Sequence, residues 1–163
     1  MPVVAADPVA MKNGLIGTLY IAHGMGVGSI LLQSAVLTGL VLLLVRRWGS
    51  ALPAGGFTIA LTLNALMLGF ARDQLVLVPF IAVAGIATDA LVRGLRADTS
   101  VGRLRALAIL VPAAYYTCFF VGVALTKGVW WSVHLWTGSI VLAGLTGFLT
   151  SYLVAPPASP ARR

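Results

Sequence analysis

Apolar residues run along this chain in long blocks, separated by short clusters of charge, glycine and proline. Crossing a hydrocarbon core of roughly 30 Å takes about 20 mostly apolar residues in an α-helix. Five blocks meet that requirement: residues 27–45, 53–71, 75–92, 106–126 and 133–154. The pattern predicts an all-α, polytopic transmembrane helix bundle of about five spans. Residues 1–155 are expected to form one domain, with a flexible Pro-rich tail at 156–163.

The block edges carry local signals. Span one ends at Arg46-Arg47-Trp48, but apolar character begins earlier, at Gly14. An unbroken helix over residues 14–45 would hold 32 residues and reach roughly 48 Å. Gly24, Gly26 and Gly28 interrupt it, and glycine permits a break more readily than any other residue. Residues 14–22 are therefore expected to form a short interfacial or re-entrant segment, with a single tilted, kinked helix as the alternative. Ser50 is placed to cap span two and Pro53 to occupy its first turn. Arg72-Asp73 predicts a very tight turn. Pro79 falls in the first turn of span three, and Pro112 should bend span four. The polar stretch from Arg93 to Arg105 reads as the connection between those two spans.

Composition excludes a water-soluble domain. Of the 163 residues, 60% are hydrophobic and 9% charged, whereas soluble domains carry roughly 25% charged residues. The net charge of +7 does not point to nucleic acid, because the basic residues sit in short clusters between apolar runs. Such clusters orient a membrane protein. With five spans, Arg46, Arg47, Arg93, Arg96, Arg103, Arg105, Arg162 and Arg163 share one side; Lys12, Arg72 and Lys127 share the other. That split of eight against three predicts an outward N-terminus and a cytoplasmic C-terminus in the cell membrane. Trp130, Trp131 and Trp136 would then form an outer aromatic belt, with Trp48 and Tyr152 at the inner one. Residues 1–7 lack the basic segment of a secretory signal, and Met1 and Met11 both suit a start. Cys118 is alone, which excludes an internal disulfide.

Two faces are built for close packing. Ser139, Ala143, Gly147 and Ser151 recur at intervals of four in span five, and Ala82 and Gly85 repeat the idea in span three. Small residues let helix backbones approach in lipid. The contact is expected within the chain, or alternatively against another membrane subunit or a second copy.

Candidate chemistry is sparse. Asp89 is a carboxylate inside a span, and Arg93, four residues on, can pair with it along one helix face; Arg46 or Arg47 would reach it if span one is adjacent. A proton- or cation-coupling role is the alternative. Asn64 lies at mid-membrane depth, where lipid offers its amide nothing. Gln33, Thr58 and Thr62 could supply partners, or Asn64 could line a polar substrate pocket. His23, His134 and Asp73 fall at one predicted depth, with Met25 and Tyr20 in the same layer. Imidazole and carboxylate together suit a transition metal such as copper; the same layer suits proton exchange or a quinone headgroup. The sequence carries no P-loop, nucleophile elbow or Rossmann fingerprint, and no residue is assigned a catalytic role.

Three functional expectations follow. The first is a non-catalytic accessory subunit of a larger membrane complex. The second is a small-solute permease or substrate-binding transport subunit using Asn64 or Asp89. The third is a metal- or quinone-handling redox protein using the two histidines.

Overall fold

The computed structural model describes residues 27–67, 72–96, 100–128, 130 and 132–154. The interfacial segment expected at 14–22, His23 and the tail at 156–163 lie outside the described residues.

Five helices make up the described chain: α1 (Val27–Trp48), α2 (Gly56–Met67), α3 (Val78–Leu95), α4 (Val101–Lys127) and α5 (Val133–Val154). The protein is an all-α helix bundle of the membrane type. Four of these helices are long and apolar enough to cross a bilayer, and α2 is a shorter apolar helix. α4 is the central element, packed on α3, α5 and α1. α1 also lies along α5, while α2 packs chiefly on α3 and forms an edge of the bundle.

The helix ends follow local chemistry. α3 starts with Pro79 in its first turn, as expected, but the link before it is a 3-10 helix, Arg72–Leu77, rather than a tight turn. α4 starts at Val101, earlier than residue 106, because Ser100 caps it by accepting from the Arg103 N–H at 3.2 Å. Arg103 and Arg105 therefore belong to a helical turn rather than a loop. Long arginine stems of this kind can lie along apolar helices while their heads reach the polar layer. Gly128, at φ +65, ends α4 in the left-handed conformation that favours glycine.

Span two departs furthest from expectation. Ser50 and Pro53 do not open it. Gly49–Ala51 forms a 3-10 turn, the Gly56 N–H bonds to the Pro53 carbonyl, and Gly55 adopts φ +77. The helix begins only after that left-handed glycine, whose carbonyl accepts from the Ile59 N–H at 2.9 Å. No side chain at Gly55 or Gly56 can cap the first turn.

The core divides into two apolar layers stacked along the bundle. One joins Val41, Leu42 and Val45 of α1, Phe57 of α2, and Leu104, Leu107, Ala108 and Val111 of α4. The other joins Ile30, Leu77, Tyr116, Phe119, Phe120, Val123 and Ala143. At the second end, Trp136 stacks between Phe120 and Trp130, with ring centroids 6.1 and 6.4 Å away. At the first end, Arg105 lies 4.3 Å over the Tyr152 ring, and Arg46 donates to the Val154 carbonyl at the C-terminus of α5. Cations there complement the negative end of the helix dipole.

Candidate functional site

Three glycines bring the helices into close contact. A Cβ on Gly85 would lie 2.5 Å from the Thr58 Cα, and one on Gly122 would lie 2.7 Å from Phe80 Cγ. One on Gly147 would fall into the carbonyl oxygen of Ala108. That carbonyl is special: Pro112 stands four residues on and has no N–H to give it. Gly147 brings the α5 backbone against the freed oxygen, where Cα–H groups can contact it. Along the α5 stripe, Ala143, Gly147 and Ser151 are buried and Ser139 is half-buried. On α3, Gly85 is buried and Ala82 half-buried. Gly85 and Gly147 are thus used to pack helices of this chain together.

Gly85 leads directly to Asp89. The start of α2 lies against the later half of α3, so the two helices are antiparallel. Asp89 stands six residues before the end of α3, or about 9 Å, and α2 begins at that depth. The helix start is part-buried against α3, and its first N–H groups need acceptors. Asp89 supplies them. It accepts from the Phe57 N–H at 3.2 Å, the Thr58 N–H at 2.9 Å and the Thr58 hydroxyl at 2.6 Å. The carboxylate does from a neighbouring helix what an N-cap side chain ordinarily does within one, and its negative charge meets the positive end of α2. The expected pairing with Arg93 is not made: Arg93 is exposed, and Asp89's hydrogen bonds go to α2. Arg46 does not reach Asp89 either, being engaged at Val154.

Asn64 lies eight residues beyond Gly56, about 12 Å further along α2. None of the three expected partners serves it. Thr58 gives its hydroxyl to Asp89, Thr62 gives its own to the Thr58 carbonyl, and Gln33 accepts from the Tyr116 hydroxyl. Asn64 is exposed on the outer face of α2, beside Ala60 and Leu63. It therefore points out of the bundle, away from the Asp89 anchor.

The proposed metal layer gathers no described partners. His134 is exposed in the first turn of α5. His23 and the side chain of Asp73 lie outside the described residues. Among the described residues, no group of three or more His, Cys, Asp or Glu side chains comes together.

Sequence reasoning placed Asp89 and Asn64 in the membrane but missed the start of α2 as Asp89's partner. The signal was present in the Gly55-Gly56 pair, a helix start with no capping side chain of its own. Comparison with known protein families, curated proteins and solved structures finds no match.

Proposed function

We propose that this multi-pass membrane protein is a non-catalytic accessory subunit of a larger membrane assembly. The exposed amide of Asn64 carries the reading. It stands exposed on an edge helix, at the membrane depth expected from the sequence, and has no hydrogen-bond partner among the described residues. An amide left facing hydrocarbon costs several kcal/mol by transfer estimates, so this face of α2 suits another protein helix better than lipid. Of the two residues a permease was expected to use, Asp89 is committed to holding α2 in place, and Asn64 is exposed on the outer face of α2. The apolar layers between α1, α4 and α5 are packed as a scaffold.

The test is native mass spectrometry after mild solubilisation from native membranes. A stoichiometric complex that weakens with Asn64→Leu supports the subunit reading. A lone monomer, carrying neither another chain nor a second copy, refutes it.

A further inference from the structure

We infer that the open face of α2 is a dimer interface, and that its occupant is a second copy of the same chain with Asn64 meeting Asn64 across a two-fold axis. This rests on the subunit reading and names the partner.

Three observations favour a second copy. First, membrane insertion fixes depth. Two copies inserted with the same orientation place Asn64 at the same level in both, whereas a foreign helix would need its own polar group at that height. Second, a carboxamide is its own complement. It has two N–H donors and an oxygen with two lone pairs, so one residue facing itself across a two-fold axis can satisfy both sides. Third, α2 offers nothing that repels its copy. Its sequence from Gly56 to Met67 has no charged residue. Ala60 lies one turn before Asn64 and is exposed; as a small residue it permits close approach. Ile59 and Leu63 flank the contact and are exposed. Among the described residues α2 packs chiefly on α3, which leaves Ile59, Ala60, Leu63 and Asn64 exposed on its other side.

The experiment uses the purified full-length chain, dye-labelled at the C-terminus and diluted into liposomes, with photobleaching steps counted per particle. Wild type is expected to bleach mainly in two steps. Asn64→Leu should weaken the dimer by about tenfold, the scale of one or two interhelical amide hydrogen bonds in a bilayer. Asn64→Gln, which keeps the amide, should retain dimers. In a Cys118→Ala background, Ala60→Cys should form an oxidised dimer and Leu149→Cys, on α5, should not. Single-step bleaching of wild type at every density would overturn the proposal. So would a dimer unchanged by Asn64→Leu, or cross-linking at residue 149 in place of residue 60. If the pure chain is monomeric while native membranes yield a stoichiometric complex with a different protein, the second copy is refuted and the subunit reading survives. If both measurements give a monomer, both fall.

Discussion

Removing the Asp89 carboxylate tests the anchor between α2 and α3. Asp89→Ala takes away three hydrogen bonds at once, to Phe57 N, Thr58 N and Thr58 Oγ1. Polar contacts between membrane helices contribute on average about 0.6 kcal/mol and at most about 1.7 kcal/mol. Losing an N-cap costs about 1 kcal/mol, and charged acceptors lie toward the upper end of the hydrogen-bond range. At about 1 kcal/mol per bond, the variant should lose about 3 kcal/mol, a factor of about 150 in the folded-to-unfolded ratio. Asp89→Asn keeps one acceptor oxygen but turns an N–H₂ toward donors, so it should lose about 1–2 kcal/mol. Thr58→Val removes only the hydroxyl arm and should cost about 1 kcal/mol. Because Thr58 Oγ1 bonds to Asp89, the double variant Asp89→Ala/Thr58→Val should cost less than the two single losses added together. Unfolding of the purified chain in mixed micelles, titrated with a denaturing detergent and followed by tryptophan fluorescence, measures all four. Stability of Asp89→Ala within about 0.5 kcal/mol of wild type would refute the anchor, as would strictly additive losses. A carboxylate present only to carry a proton would leave stability unchanged.

Two further substitutions probe the packing and a helix start. Gly147→Ala pushes a methyl group into the Ala108 carbonyl, which is backbone and cannot swing aside; a loss of about 1–3 kcal/mol is expected in the same titration, and wild-type stability would contradict the close approach. Ser100→Ala removes the cap of α4 and should cost about 1 kcal/mol, whereas no measurable change would mean that the Ser100–Arg103 bond does not hold the helix start.

The spans were legible where charge, glycine or proline marks a sharp edge. The stretches at 27–45 and 133–154 correspond to Val27–Trp48 and Val133–Val154, because Arg46-Arg47 and the Lys127-Gly128 turn punctuate the apolar runs. Legibility failed where one local signal overrode another, or where the partner lay far off in sequence. Pro53 looked like a first-turn residue, but the left-handed Gly55 delayed the start of α2. Arg103 and Arg105 looked like loop residues, but the Ser100 cap drew them into α4. The i, i+4 spacing of Asp89 and Arg93 suggested an ion pair on one helix. The carboxylate found its donors 31 and 32 residues away, a distance no periodicity reports. The small-residue face of α5 was readable as a packing surface, but its partner was not. That partner depends on the carbonyl freed by Pro112, a feature that exists only once α4 has formed.

Cysteine accessibility in sealed cells and inverted vesicles tests the bundle most directly, using an impermeant maleimide in a Cys118→Ala background. Ala54 lies before α2 and Gly102 in the first turn of α4, where a side chain meets open space; Ser132 lies between α4 and α5. If α4 crosses the bilayer, and α2 and α3 cross as a pair, Ala54→Cys and Gly102→Cys label from one side and Ser132→Cys from the other. Labelling of all three from the same side would contradict a crossing by α4, and with it the membrane bundle.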